Sequence, residues 1–434
     1  MSILVATEGF ERFSYFGMQT LLVLYMTGYL FKPGMIEHVV GFGVFRAAME
    51  SVFGALSNQA LATTIFGVYG GSVYAGPILG SLIGDRLGRQ RTVTVGLSFM
   101  VAGHFLMAFE SLFLFALLAL LIGSSLLKGN VAAQVGDLYA PDDSRLDQAY
   151  SIFYMAVNIG GILAPLVCGT LGEVYGWRLG FGSAGMIMAI GLAIYIGGRR
   201  YLPPQPARQA KTRGQGRKLV RADLPRLAAM GVLLFTGAVY WTSAMQEADT
   251  YMIWMRDRVN RGVFGLTVPV TWFTSVDSIA AVALAPLVIV FWRRQAKRGR
   301  EPADLSKVAA GCLIFAGTLL LLSVGEMVAG GGKVALAWPL SCQLIGALGY
   351  LYFAPVIVAW FSRVTPAGAT GTAISIYYLS IFAGSVLAGW LSRFYGEVSN
   401  AQFWAIHAAL TASGGLVLLA LRGPLTRALA VKEA

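Results

Sequence analysis

Apolar stretches of about 20 residues, separated by short polar segments, recur along the whole chain. A helix that crosses a bilayer needs about 20 mostly apolar residues. The pattern therefore predicts twelve membrane-spanning helices. Their expected bounds are residues 3–31, 57–83, 92–110, 112–138, 147–172, 178–198, 225–255, 267–292, 304–329, 334–361, 367–392 and 401–421.

A polar segment separates the first six predicted helices from the last six. Residues 199–226 are rich in proline and in basic residues, which indicates a linker between an N-terminal bundle at 1–198 and a C-terminal bundle at 227–434. Cytoplasmic loops of membrane proteins are enriched in Lys and Arg. The basic residues of 86–91 and 293–300 fall on the same side as this linker, so both chain termini are predicted to be cytoplasmic. The short loops are typical of a multi-pass protein of a bacterial inner membrane.

Composition supports a protein that lies mainly within the lipid. Of 434 residues, 56% are hydrophobic and 12% are charged, whereas soluble domains carry about 25% charged residues. The net charge of +12 would suggest a nucleic-acid partner in a soluble protein. Here it is assigned to membrane orientation, and no nucleic acid is expected. The three cysteines lie in apolar stretches without metal-ligand spacing, so no metal site is expected.

The first predicted helix carries charges that are costly within a membrane. Glu8, Glu11 and Arg12 stand at i, i+3 and i+4, and Tyr15 and Gln19 continue the same face. A charged side chain at the bilayer centre costs at least ~2.5 kcal/mol, so such residues mark functional sites by default. One arginine cannot neutralise two carboxylates, and the surplus carboxylate could carry a proton. A structural Glu–Arg pair is the alternative.

Two further charges fall deep within predicted helices. Lys128 lies about two-thirds along the fourth helix. A buried lysine there either loses its proton or finds an anion, which could be Glu8, Glu11 or a substrate carboxylate. A purely structural role is the alternative. Asp277 lies near the middle of the eighth helix. Acids also occur at 247 and 249, nearer the outer end of the seventh helix, where a solvated vestibule face is the favoured interpretation.

The turn between the second and third helices is short, basic and rich in glycine. Residues 80–91 resemble the loop signature of major-facilitator transporters, and this resemblance suggests that Asp85 and Arg86 act in gating. The alternative is an ordinary cytoplasmic turn. Gly70-Gly71 and Gly160-Gly161 indicate close helix packing rather than nucleotide binding.

The N-terminal half resembles one transporter family, the proton-dependent oligopeptide transporters of the major facilitator superfamily. The matching segments, in chain order, are EGFERFSYFG at 8–17, LKGNV at 127–131, GDLY at 136–139, FYMAVNIG at 153–160 and GWRLGFG at 176–182. The resemblance is fainter in the C-terminal half. It implies an all-α membrane protein with the major-facilitator fold, twelve transmembrane helices in two six-helix bundles.

The resemblance also implies a function and a set of site residues. The expected function is that of a proton-coupled symporter, not an enzyme, which imports di- or tripeptides or a peptide-like solute by alternating access. It would act as a monomer in the lipid bilayer, driven by the proton gradient without a cofactor. The implied residues are Glu8, Glu11, Arg12 and Lys128 for proton coupling; Tyr15, Tyr69, Lys128, Asn158, Trp241 and Asp277 for substrate binding; and Asp85, Arg86 and Tyr350 for gating.

Several positions depart from the family pattern. Gln19 and Met245 replace an arginine and an acid that usually pair, Tyr350 replaces a glutamate, and Asp277 replaces an asparagine. We therefore expect Asp277 to supply the lost acid, either by pairing with Lys128 or by receiving a substrate ammonium group. The departures leave three alternatives open, namely a modified or cyclic peptide, a non-peptide organic anion, or a substrate sensor that does not transport.

Overall fold

The structure is a computed structural model that describes residues 1–139, 143, 145–203, 224–364 and 370–430. It is almost wholly helical. The α-helices are α1 Ser2–Tyr25, α2 Phe42–Phe53, α3 Asn58–Leu87, α4 Arg89–Leu106, α5 Phe113–Gly136, α6 Arg145–Ala164, α7 Trp177–Gly198, α8 Leu224–Ala244, α9 Thr250–Arg258, α10 Trp272–Lys297, α11 Asp304–Ala329, α12 Ala337–Val364, α13 Thr370–Leu391 and α14 Asn400–Ala430. Most of the predicted linker, 204–223, lies outside the described residues.

Segments of π-helix extend two of these helices. A π-helix at Met26–Leu30 continues α1, and two more at Pro165–Gly169 and Leu171–Tyr175 continue α6. The only strands among the described residues are β1 Gly262–Val263 and β2 Leu266–Thr267, which pair antiparallel. The short helix α2 and this hairpin are absent from the hydrophobic pattern because neither is long enough to cross a membrane.

The predicted span 225–255 is interrupted in the structure. The helix α8 ends at Ala244, a 3-10 turn follows at Met245–Ala248, and α9 then begins at Thr250. The side-chain amide of Gln246 donates to the carbonyl of Ala388 on α13 (3.1 Å), which anchors the turn. Polar side chains that bond outside their own helix compete with the regular backbone ladder.

Nine described helices are long and apolar enough to cross a membrane. Three other long helices, α1, α4 and α13, coincide with predicted spans but do not meet that criterion within the described residues. In α1 the reason is the three charges at 8, 11 and 12. The count of twelve spans therefore stays a prediction.

Two compact units make up the described chain. The first comprises the described residues up to Pro203 together with Ala248–Arg256 and Arg261–Ser275, and the second comprises the other described residues. In the first unit α1 packs on α6 and α7, and α5 packs on α3 and α4. In the second, α11 packs on α12 and α14, and α8 packs on α13 and α14. The predicted domain boundaries, which cross the undescribed linker, stay a prediction.

Small residues set the distance between α3 and α5. A Cβ on Gly80 would clash with the backbone carbonyl of Ser125, and one on Gly84 would clash with Asn130. The Asn130 amide also donates to the carbonyl of Gly80 (2.9 Å). These glycines therefore serve helix packing, while Gly88, with φ +94°, makes the reversal between α3 and α4.

The paired glycines chosen from the sequence differ in their environment. Gly160 packs directly against α1, because a Cβ there would lie 2.8 Å from the backbone nitrogen of Phe13. Gly70 has open space where its Cβ would be. The packing prediction is therefore supported at Gly160 and wrong at Gly70.

The start of α6 is capped from the loop before it. The backbone N–H of Arg145 donates to the carboxylate of Asp143 (2.9 Å), and the Arg145 side chain donates to the same carboxylate. These hydrogen bonds, the side-chain ones foremost, lower the pKa of Asp143 to about 2. A carboxylate that stays ionised near a helix start is favourable to the helix dipole.

Candidate functional site

The charged face of α1 is assembled within the first unit as the sequence predicts. The Nε of Arg12 donates to Oε1 of Glu8 (2.8 Å) and lies 3.3 Å from Oε2 of Glu11. Both carboxylates are buried, whereas the Arg12 side chain is 19% exposed. Glu8 Oε2 and both Glu11 oxygens have no hydrogen-bond partner within the described part of the chain. One guanidinium therefore faces two carboxylates and satisfies only part of their hydrogen-bonding capacity.

Lys128 on α5 contacts aromatic rings instead of a carboxylate. Its Nζ lies 4.1 Å from the ring centroid of Tyr15 and 5.4 Å from that of Tyr74. Among the described residues this Nζ is buried without a hydrogen-bond partner, although it interacts electrostatically with the α1 charges. Cations are attracted to ring faces, and more strongly when water is excluded. The rings therefore hold an ammonium group whose hydrogen bonds are available to an anion.

The other residues predicted to bind substrate in the N-terminal half differ in burial. Tyr69 on α3 is buried and close enough to Glu11 and Tyr15 to interact with them electrostatically. Asn158 on α6 is exposed. The structure thus gathers Tyr15, Tyr69 and Lys128 near the α1 charges, and it gives no contact of Asn158 with this group in the described part of the chain.

The turn after α3 has an ion pair that the predicted gating residues only partly include. Arg89 bonds the carboxylate of Asp137, at the end of α5, and lies 3.6 Å from that of Asp85. Arg86 is exposed, and no ion pair with a described residue involves it. Arg89, instead of Arg86, therefore links the start of α4 to the end of α3 and to the end of α5.

In the second unit, Trp241 on α8 lies in an aromatic cluster. Its ring meets that of Tyr350 edge-to-face at 6.5 Å, and the neighbouring Tyr240 stacks on Phe353 at 3.6 Å. Trp241 Nε1 and the Tyr240 hydroxyl are buried without hydrogen-bond partners among the described residues. Tyr350, predicted as a gating residue, is 43% exposed. Polar hydrogens on an aromatic wall are the groups that orient a ligand in a mostly apolar site.

A pair of acids accompanies this aromatic cluster. Glu247, in the 3-10 turn after α8, interacts electrostatically with Asp277 on α10, and both act on Tyr240 and Cys342. Glu247 Oε1 lies 3.8 Å from where a Cβ on Gly346 would be. No cation contributes to the electrostatic environment of either carboxyl group in the described structure. Glu247 therefore forms an acidic pair with Asp277. The sequence instead favoured a solvated vestibule face for Glu247.

Sequence reasoning did not select Glu247, Arg89 or Asp137 as site residues. Arg89 and Asp137 lie inside segments that were singled out as motifs, so their charge was the available signal. For Glu247 the signal was an acid within an apolar span, but its partner lies thirty residues further along the chain. The described residues include no group of three or more His, Cys, Asp or Glu that could hold a metal ion.

The sequence is similar to those of known membrane transporters. An uncharacterized transporter of Bacillus subtilis, YclF, is 26% identical over 98% of this chain and 93% of its own length. The peptide transporter YePEPT of Yersinia enterocolitica is 27% identical over 90% of this chain and 86% of its own. A di-/tripeptide transporter of Lactococcus lactis is 24% identical over 98% and 95%.

Solved structures extend this similarity to the fold. A peptide transporter of the POT family in complex with sulfate matches with a TM-score of 0.84 and 27% identity, over 98% of this chain and 94% of that one. A mutant of a POT peptide transporter in complex with alafosfalin matches with a TM-score of 0.85 and 27% identity, over 99% and 95%. These matches confirm the predicted fold class, an all-α membrane protein with the major-facilitator fold.

A model of the POT family matches residues 90–222 and 216–407, which together span most of the chain. This match covers the motifs at 127–131, 136–139, 153–160 and 176–182, whereas the motif at 8–17 lies before it. It extends into the C-terminal half, where the sequence resemblance was faint. The chain belongs to the POT family, a family of multi-pass membrane transporters.

Proposed function

We propose that this protein is a proton-coupled symporter that imports short peptides or a peptide-like solute by alternating access of its two bundles. The single observation that carries the proposal is the charge arrangement of the first unit. Two buried carboxylates lie beside one arginine, and a buried ammonium has no hydrogen-bond partner among the described residues. Two relatives are named peptide or di-/tripeptide transporters, and one similar structure is a complex with alafosfalin. The protein would act as a monomer in a bacterial inner membrane, with both termini cytoplasmic.

Each unit has groups that suit one part of a peptide substrate. Lys128 would bind the carboxylate of the substrate, since its ammonium is held by ring faces and its hydrogen bonds are unused. Glu247 and Asp277 would receive the substrate ammonium, because two carboxylates without a cation favour a positive ligand. The rings of Tyr15, Tyr69 and Trp241 would contact side chains of variable size.

Proton coupling is assigned to the surplus carboxylates. In the first unit Glu8, Glu11, Arg12 and Lys128 sum to a formal charge of zero, while Glu247 and Asp277 contribute −2 in the second. Closely spaced carboxylates in an environment of low dielectric constant do not both ionise freely. Protonation of one acid in each unit would bring the summed formal charge of these six groups from −2 to zero, which would favour the exclusion of water before the transporter rearranges.

Uptake by reconstituted protein tests this assignment. Proteoliposomes with an imposed inward proton gradient would be given labelled dialanine, and the gradient would be collapsed with a protonophore in parallel. Wild-type protein is expected to accumulate the peptide only with the gradient. The Asp277→Asn and Glu247→Gln variants are expected to lose this accumulation by about tenfold or more, as in the loss of a proton-transfer group. They are also expected to exchange more slowly in counterflow, because the same two acids are proposed to receive the substrate ammonium.

The matched control is Glu397→Gln, which removes an exposed carboxyl group of the second unit. It should couple like wild type. Normal gradient-driven accumulation by Asp277→Asn would overturn the coupling role of this acid. Binding of dialanine by wild type without uptake or counterflow would instead favour the sensor, and indifference to dialanine with uptake of a cyclic peptide or organic anion would favour the alternative substrates.

A further inference from the structure

A carboxylate from the end of the α6 region caps the start of α10. Glu173 lies in the π-helix Leu171–Tyr175, and its two oxygens accept hydrogen bonds from the backbone N–H groups of Val270 (2.9 Å) and Thr271 (2.8 Å). Both N–H groups precede the first residue of α10, Trp272, so the helix itself offers them no partner. A negative charge here also complements the helix dipole.

Two further hydrogen bonds follow along the same contact. The indole Nε1 of Trp272 donates to the hydroxyl of Thr170 (2.7 Å), and the hydroxyl of Ser275 donates to the carbonyl of Ile162 (2.8 Å). All the residues of these bonds belong to the first unit. We call this contact, between Ile162, Thr170 and Glu173 on one side and Val270–Ser275 on the other, the latch.

A glycine permits the close approach in the latch. A Cβ added at Gly169 would clash with the side chain of Thr271. The hydroxyl Oγ1 of Thr271 is buried there without a hydrogen-bond partner in the described residues. The contact is therefore tight as well as hydrogen-bonded, and even a methyl group would separate it.

In the latch the carboxylate of Glu173 accepts hydrogen bonds from uncharged backbone N–H groups. No Lys or Arg of the described residues forms a salt bridge with Glu173. The sequence also lacks charge at Gln19 and Met245, where the resembling family usually has an arginine and an acid. A hydrogen-bonded contact at the predicted outer side of the chain can hold a closed state without those two charges.

The latch lies close to a proposed functional acid. Asp277 follows Thr271 by six residues, which is about 9 Å along a helix. The residues of α10 up to Ser275 belong to the first unit, and Val276 and the rest of α10 belong to the second. A contact that holds the first turn of α10 therefore acts on the same helix that carries Asp277.

We propose that Glu173 is a positioning residue for transport: it holds the first turn of α10 against the end of α6, and release of its two hydrogen bonds is the step that opens the outer side. This inference rests on the proposed alternating-access function. It differs from the coupling assignment because Glu173 binds neither substrate nor a transported proton.

The test compares Glu173→Gln with wild type in lipid nanodiscs. Each oxygen of Glu173 accepts one of the two backbone hydrogen bonds. In the glutamine variant an NH2 group replaces one oxygen, so one backbone N–H would face a donor instead of an acceptor. Amide hydrogen exchange of residues 268–276 is expected to accelerate by about tenfold or more, the effect of losing a hydrogen bond to a charged acceptor. A cysteine introduced at Thr274 is expected to react several-fold faster with a membrane-impermeant maleimide.

Two other variants make the result decisive. Glu110→Gln is the control, because Glu110 pairs with Arg178 in the same unit and has no bond to α10; it should leave exchange at 268–276 unchanged. Gly169→Ala keeps Glu173 but pushes Thr271 away, so it should shift both readouts in the same direction as Glu173→Gln. If the glutamine variant does not fold, Glu173→Asp, whose carboxylate is one methylene too short, takes its place with a smaller shift expected.

Unchanged exchange and labelling in both Glu173→Gln and Gly169→Ala would overturn the latch, and so would equal acceleration in Glu110→Gln. These two readouts need no transport. Dialanine uptake in proteoliposomes is measured separately, with a lower maximal rate and a little-changed KM expected for Glu173→Gln. Faster exchange and labelling with a wild type that does not transport would count against the proposed function and leave the latch standing.

Discussion

At the residue scale, the protein uses unequal numbers of opposite charges. Arg12 serves two buried carboxylates in the first unit, and Glu247 and Asp277 have no cation in the described part of the second. Lys128 is paired with ring faces, which attract a cation without neutralising it. Each of these groups therefore keeps the capacity to take a proton or a charged ligand, which a set of complete ion pairs would not.

The role of the ring beneath Lys128 can be tested with two substitutions of Tyr15. Tyr15→Phe keeps the ring face and removes only a hydroxyl that has no hydrogen-bond partner among the described residues, so KM for dialanine uptake should stay within about twofold. Tyr15→Leu removes the aromatic ring over which the Lys128 ammonium lies. A desolvated cation–π contact is worth about 2 kcal/mol, so KM should rise by about tenfold or more.

The two variants have similar apolar bulk, which makes each the control of the other. Wild-type uptake kinetics in both Tyr15→Phe and Tyr15→Leu would show that the ring does not position Lys128. A loss of uptake in Tyr15→Phe as large as in Tyr15→Leu would point to the hydroxyl instead.

At the element scale, glycine spacing and polar turns decide which helices meet. Gly80 and Gly84 bring α3 against α5, Gly160 brings α6 against α1, and Gly169 brings the α6 region against the start of α10. The sequence shows such small residues but not which neighbour they face. For this reason the prediction of close helix packing at Gly70 was wrong. The sequence likewise does not show the interruption after Ala244, because a hydrogen bond from Gln246 to α13 holds that turn.

The packing role of Gly80 predicts opposite effects of the same substitution at two positions of α3. Gly80→Ala forces the methyl group against the Ser125 carbonyl, which should cost about 1–3 kcal/mol of stability, as overpacking does. Gly70→Ala meets open space and removes a flexible residue from a helix, so it should stabilise by about 0.5–1 kcal/mol.

Thermal unfolding of the purified protein, followed by intrinsic fluorescence, measures both changes. The midpoint should fall for Gly80→Ala and stay or rise for Gly70→Ala. A fall of the same size at both positions would indicate that helix packing at Gly80 is not responsible.

At the scale of the whole molecule, the surplus of basic residues defines an orientation in the membrane. The basic end of α10 and the run that follows it, at 293–300, are exposed for the most part, and the turn with Arg86 and Arg89 is predicted on the same side. Cytoplasmic loops carry such an excess of Lys and Arg. We therefore expect the net charge of +12 to lie mainly on the cytoplasmic side of the protein.

This orientation predicts the location of both termini. Alkaline phosphatase fused to the C-terminus in a bacterial host should be inactive, and green fluorescent protein at the same place should fluoresce, because both report a cytoplasmic end. Phosphatase inserted at Gly331, in the loop between α11 and α12, should be active. The reverse pattern of activity would contradict the predicted topology.

The sequence alone determined the membrane class, the positions of most spanning helices, the family and most of the charged residues proposed for the site. Apolar length and the cost of a buried charge are properties of local sequence. Only the tertiary structure decided the partners. It places Lys128 over Tyr15, brings Glu247 to Asp277 and seats Glu173 at the start of α10. These pairs depend on how each helix rotates and packs, and spacing along one helix carries no information about the face of another.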